Sequence, residues 1–461
     1  MLREIDMSEF PFELEFDSIF PRSGRVSVRC LSRIRSVPKK RDVYDGVYEG
    51  KCVIVKVFRD AFKSSIHCRK EWKGLQELGR RGIRSPEALM LGRCDDGSRL
   101  VVIEKITDSE VVFDYFGSLD EVDEKVKILK MVCVELADQH KQGVFQQDLH
   151  LGNFLLKDDK LFTIDPSEIR FISGELQMRR SLKQLAGILC NVSDEDGDAI
   201  RILCEEYFLR RGYGRCDRFI KRIMKYRASI KEKVIKSSLK KSLRTSKRTL
   251  KIRNRKVRAV FMRDFPGDSD PYELACSLDG MMDAGEVLKR GNTCYVSRVH
   301  WGGKDVVIKR YNNKGIFHSI RHTIKGSRAR KNWLYSQYLQ MIDVANPAVL
   351  AYVEFCYLGI IRTSYVINQF VDGSSIQEYL TNSELSHKDK NAIIKRTEKL
   401  LSRLIQYRLT HGDMKPSNIL ICDDQPVLID LDSMQLHRFS FALKFCSKRM
   451  LRKFRFRINQ I

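Results

Sequence analysis

Several signatures that would settle a function at once are missing from this sequence. There is no Walker A run of the GxxxxGK[ST] type and no GxGxxG, so no glycine-rich loop announces a phosphate site. The 13 cysteines are scattered, with no CxxC pair, which fits neither a disulfide framework nor a zinc ribbon. Free, mostly buried thiols in a reducing compartment are the expectation. No uncharged stretch of some 18 apolar residues occurs, and the most apolar window, 349–367, is broken by Glu354 and Arg362 and reads as buried strands. The opening Met1-Leu2-Arg3-Glu4-Ile5-Asp6 carries acids where a signal peptide would be apolar. A cytoplasmic protein is expected. Acid is scarce too: 59 Asp and Glu stand against 84 Lys and Arg, a net charge of +25. That excess calls for an anionic partner without choosing it. Nucleic acid is disfavoured, since no recognition motif or aromatic platform accompanies the basic runs.

What is present is an internal repeat. Gln146-Gln147-Asp148-Leu149-His150-Leu151-Gly152-Asn153 resembles His411-Gly412-Asp413-Met414-Lys415-Pro416-Ser417-Asn418. Each block runs through a short acidic turn into an apolar strand ending Ile164-Asp165 or Ile429-Asp430, and the spacing from Asp148 to Asp165 equals that from Asp413 to Asp430. Upstream, Val53-Ile54-Val55-Lys56 pairs with Val306-Val307-Ile308-Lys309, and Arg69-Lys70-Glu71-Trp72 with Arg330-Lys331-Asn332-Trp333. Four blocks in one order predict two tandem copies of one domain, at 1–230 and 263–461, joined by a basic linker over 231–262. The linker's early part reads as a solvated helix and Thr249 to Arg263 as strand.

The residue types point to phosphoryl transfer. A lysine in an apolar strand needs an anion or a counter-ion. Asp and Asn oxygens on a loop and a following hairpin suit Mg²⁺, which binds a few protein oxygens together with substrate phosphates. Lys56 and Glu71, then Asp148, Asn153 and Asp165, follow the order of the protein-kinase set. The second copy offers Lys309, Asp413, Asn418 and Asp430. Asp148 and Asp413 are the expected proton acceptors, and Asn153 with Asp165, or Asn418 with Asp430, the expected metal ligands. Backbone near Glu104 and Ile106, or Gln369 and Val371, is placed to meet an adenine ring. The lids over the phosphates would be Ser36 to Lys40 and Gly291 to Tyr295. Asp158, Asp159, Asp423 and Asp424 read as turn residues. His67, His150 and the helical pair His318 and His322 read as structural or incidental.

These blocks resemble the bacterial lipopolysaccharide kinases of the Kdo/WaaP type. The likeness is carried by His411 to Asn418, by Pro426 to Asp432, by Ser327 to Trp333 and by Ile361 to Ile367. In the first copy it extends to Met178-Arg179-Arg180-Ser181-Leu182, similar to the short basic helix that replaces a large C-lobe in those kinases. The resemblance implies an α+β chain of two protein-kinase-like bilobal domains using ATP and Mg²⁺. It also implies transfer to a Kdo or heptose hydroxyl of lipid-linked core oligosaccharide at the cytoplasmic face of the inner membrane. The copies depart from the pattern differently: Gln146 replaces a histidine in the first, and Asn332 replaces the helix glutamate in the second. With no carboxylate between Asp305 and Asp343, Lys309 is expected to lack a partner, which makes the first copy the expected catalyst. A nucleotide-binding pseudokinase scaffold and an atypical protein kinase are the competing classes. The run from Phe441 to Ile458 is either an interfacial helix for an anionic membrane or the last core helix.

Overall fold

The computed structural model describes residues 10–458, apart from 22, 60–62, 215, 266, 268, 313 and 314. The side chains of 316–318, 321 and 322 also lie outside the description, and with them His318 and His322. The chain divides into two compact units, 1–232 and 233–461. Each mixes sheet and helix, as the α+β reading expects.

The first unit opens with six strands closed into a barrel: Phe12–Phe20, Gly24–Val37, Arg41–Tyr48, Lys51–Phe58, Ala88–Arg93 and Arg99–Glu104. Their order around the barrel is first, second, third, fourth, sixth, fifth. Alternation decides the faces. Val53, Val55 and Val57 turn into the barrel with Phe16, Val28, Tyr44 and Leu100. Their neighbours Lys56 and Phe58 therefore face outward, where the helix Ser64–Arg80 covers them. Cys68, Trp72 and Leu75 of that helix pack on Phe58, Val101 and Ile103. A separate core follows, built by the helices Val122–Lys141, Met178–Ile188 and Gly197–Arg210 around Leu136, Phe154 and Phe208.

The second unit has an open seven-stranded antiparallel sheet. One face carries Val306, Ile308 and Phe261 under the helix Pro271–Ala284, and the other carries Tyr311, Val260 and Val366 under the helix Arg328–Met341. A helical core follows, around Leu401, Leu404, Met450 and Phe454. The segment 231–262 is not a linker. Its strands Thr249–Arg253 and Val257–Met262 form one edge of that sheet, and Ile235 and Leu239 pack in the second unit's helical core. The strand expected over Thr249 to Arg263 is present, and burial of Val257, Ala259, Val260 and Phe261 makes it part of the second unit rather than a connection. All 13 cysteines are free.

Candidate active site

In the first unit the outward lysine meets a fully buried acid. Glu71 is 0% exposed, and its Oε1 lies 2.5 Å from Lys56 Nζ. The same ammonium also bonds Asp165. Burial alone would lower the Lys56 pKa, but the Glu71 and Asp165 carboxylates outweigh it and hold it above its usual value. Burial would likewise raise Asp165. The Lys56 ammonium, helped by Arg41 and Arg35, keeps that carboxyl below the ordinary range. Arg35 and Arg41 flank the turn at Ser36 to Lys40, so this lid bears charge where a glycine loop would offer backbone N–H groups.

Backbone geometry joins Asp165 to the loop. The hairpin Phe154–Lys157/Lys160–Thr163 returns the chain, and Ile164 N–H donates to the Asn153 carbonyl at 2.9 Å. Asp165 sits in the left-handed region at φ 54°. Asn153 donates its amide to the Asp148 carbonyl at 2.6 Å and to Gln146 Oε1 at 3.2 Å, which leaves its own Oδ1 for another partner. Gln146, standing for a histidine, leaves no hole: it is buried, and it also donates to Gln139 at 2.8 Å. Asp148 is mostly exposed, with His150 Nε2 at 4.0 Å from its carboxylate. His150, expected to be structural, therefore stands at the site.

The second unit repeats this connectivity. Lys309 bonds Asp430, which has φ 60°. Ile429 N–H donates to the Asn418 carbonyl at 3.0 Å, and the Asn418 amide donates to the Asp413 carbonyl at 2.8 Å. His411 Nε2 donates to the Asp430 carbonyl at 3.1 Å. Burial holds that imidazole below its ordinary pKa. Lys415 Nζ lies 2.6 Å from Asp413 Oδ2.

Lys309 does not lack a partner. Asp432, 3% exposed, lies 3.6 Å from its ammonium and 2.7 Å from Arg328 Nη2. The acid comes from beyond Asp430 rather than from the helix. It lies outside the stretch from Asp305 to Asp343, which contains no other acid. Asp432 and Arg328 stood inside the family-like blocks, yet only the return of the hairpin shows that they meet Lys309. The turn residues Asp158, Asp159, Asp423 and Asp424 all have positive φ, as their placement requires.

At the candidate adenine strand ends, the N–H groups of Glu104 and Gln369 are already given to the carbonyls of Glu87 and Ala348, at 2.9 and 2.8 Å. Lys105 and Phe370 N–H go to Cys52 and Asp305. The N–H groups of Ile106 and Val371 have no backbone partner among the described residues. Those residues also contain no cluster of three His, Cys, Asp or Glu that could hold a metal ion. An Asn–Asp oxygen pair is a donor set suited to Mg²⁺ bound together with phosphates and water.

The arrangement in the second unit coincides with a match to a family model. Residues 283–460 match the Lipopolysaccharide kinase (Kdo/WaaP) family. The match supports a kinase, and so a phosphotransferase. Among solved structures, the PknI kinase domain of Mycobacterium tuberculosis is similar at 13% identity, and a point mutant of that domain at 14%. Each likeness covers 43% of this chain and 95% of that one, with a TM-score of 0.30. No curated protein sequence matches the chain.

One glycine bears on the first site. A Cβ on Gly74 would lie 2.7 Å from Pro166 Cβ and 2.9 Å from Cγ, next to Asp165. The helix carrying Glu71 thus approaches the Asp165 turn closely because residue 74 has no side chain. Gly74→Val is expected to destabilise the first unit by about 1–3 kcal/mol and to weaken ATP binding there. Calorimetric melting and nucleotide titration check both.

Proposed function

We propose that this protein transfers the γ-phosphoryl group of ATP to a sugar hydroxyl, Kdo or heptose, of the lipopolysaccharide inner core at the cytoplasmic membrane face. What supports the reading is one coincidence: the family match falls on the unit in which Lys309, Asp413, Asn418 and Asp430 are joined by the bonds described above. We take the two units to be copies of one domain. Bound Mg²⁺·ATP would supply the phosphoryl group and neutralise its charge.

The chain's own residues do the rest. Lys56 and Lys309 hold phosphate oxygens. Asn153 with Asp165, and Asn418 with Asp430, present oxygens to the metal. Asp148 or Asp413 orients the acceptor hydroxyl and takes its proton. Ile106 and Val371 N–H would be the groups to meet the adenine, since those of Glu104 and Gln369 are engaged. Preference for the first unit as catalyst rested on an unpaired Lys309. Asp432 removes that ground, and we assign competence to both centres.

Turnover of ATP with purified core oligosaccharide tests the reading. Asp148→Ala and Asp413→Ala should each lower acceptor-dependent transfer, and the double variant should lower it by about 10²–10⁴-fold, as loss of a general base does. Nucleotide binding without turnover would favour a scaffold instead. Phosphorylation of protein but not of sugar would favour an atypical protein kinase.

A further inference from the structure

We infer that the outer face of the C-terminal helix Ser440–Ile458 is a docking surface for an anionic lipid bilayer. This does not rest on the identity of the phosphate acceptor. The helix carries seven Lys and Arg and no Asp or Glu. At about 100° per residue it presents two distinct faces. Ser447, Met450, Phe454 and Ile458 are buried on one, within the second unit's helical core. Phe441, Phe445, Lys448, Arg449, Arg452 and Phe456 project from the opposite one.

The rings on that outer face are 75%, 69% and 64% exposed for Phe441, Phe445 and Phe456. Phe439 stacks on Phe441 with centroids 5.8 Å apart. Between the rings, an open groove of about 380 Å³ is lined by Lys448, Leu451, Arg452, Arg455 and Phe456. Arg455 pairs with Glu398 at 3.0 Å. No acid pairs with Lys444, Lys448, Arg449 or Arg452 among the described residues.

The chemistry selects the occupant. Rings at both ends of a stripe with unpaired cations between them match an interface of acyl chains and headgroup phosphates. A second copy docked face to face would bring two acid-free helices together, and like charges oppose that. A nucleic acid duplex would satisfy the cations but leave the rings in water. The placement also connects surface to site. Met450 Sδ accepts from the His411 N–H at 3.2 Å, and Arg457 reaches the Met414 carbonyl at 3.5 Å. The helix that would lie on the bilayer is therefore packed directly on the loop that carries Asp413.

Flotation of the full chain with vesicles of phosphatidylcholine alone, or of phosphatidylcholine mixed with phosphatidylglycerol, tests this without ATP or acceptor. Binding should be at least about tenfold tighter with phosphatidylglycerol and should weaken with salt, since each cation near an anionic surface contributes about fivefold. Lys448→Glu with Arg452→Glu should weaken it by at least about 25-fold. Phe441→Ser with Phe445→Ser should weaken binding to the same vesicles, while all variants keep wild-type melting. Phe445→Trp should give an emission maximum that shifts to the blue on phosphatidylglycerol vesicles. Equal binding to both vesicle types, indifference to the charge reversals, tighter binding to a DNA duplex than to vesicles, or a dimer dissolved by the Phe variants would each overturn the inference.

Discussion

Glu71→Ala should destabilise the first unit by about 3 kcal/mol and leave the melting of the second unchanged. Glu71 is wholly buried and holds the Lys56 ammonium. Its removal leaves a buried cation with Asp165 alone, so the effect falls at the lower end of the range for breaking a buried pair. Asp165 would then be drawn to Lys56 as sole counter-ion, and ATP affinity in the first unit should fall with stability. Asp432→Ala is the reciprocal experiment. It deprives both Lys309 and Arg328 of one carboxylate, so a loss of about 3–5 kcal/mol is expected, confined to the second unit. Calorimetry resolving two transitions, with nucleotide titration of each variant, checks the pair. Should Asp432→Ala leave the second transition in place, Lys309 has no counter-ion beyond Asp430, and the equivalence of the two centres fails.

The first unit should also lose stability in mild acid through one histidine. His140 is fully buried, with Nδ1 2.6 Å from the Tyr207 hydroxyl and Nε2 2.9 Å from Gln184 Oε1. Gln184 spends its own amide N–H on the Gln146 carbonyl, so its oxygen faces His140 and the imidazole carries its proton on Nε2. Tyr207 then donates to Nδ1. Burial pushes the His140 pKa down from 6.5 to about 3. Between those values the unfolded chain binds a proton that the folded chain refuses, so stability rises with pH across this window. It is fully present above pH 6.5 and drains away as pH falls toward 3. At pH 5.0 the loss is about 2 kcal/mol, 1.5 units at 1.36 kcal/mol each. His140→Gln should melt lower at neutral pH and flatten the slope of first-unit stability between pH 7.5 and 5.0. The same slope in wild type and variant would exclude His140 as the titrating group. The effect reaches the site, because His140, Gln184, Gln146 and Asn153 form one hydrogen-bonded chain.

Much of the site was legible one residue at a time. Lys56 and Lys309 stood in apolar strands where an unpaired charge is costly, and both meet carboxylates. Trp72, Leu75 and Leu78 recur at helical spacing, and the face they share on the helix Ser64–Arg80 is buried. The C-terminal stripe was read as either core or interface. Its residues divide, Met450, Phe454 and Ile458 inward and Phe441, Phe445 and Phe456 outward, because one helix has room for two apolar stripes. In the segment 231–262 the strand pattern over Thr249 to Arg263 is legible, but the density of Lys and Arg points to a linker, and nothing local shows that these strands join the edge of the second unit's sheet.

The order of residues alone marked the side chains proposed to carry the chemistry: a strand lysine, an Asp-x4-Asn loop and an Ile-Asp strand end, twice. Those signals are local, since strand period, turn residues and hairpin length act over a few positions. Only tertiary structure decided which charges meet. Asp432 lies 123 positions from Lys309 in the chain, and Asp165 lies 109 from Lys56. Pairing over such separations depends on how a hairpin folds back beneath a sheet, and no short-range propensity encodes it. The closed barrel of the first unit and the open sheet of the second were settled the same way, by which strands found partners at their edges.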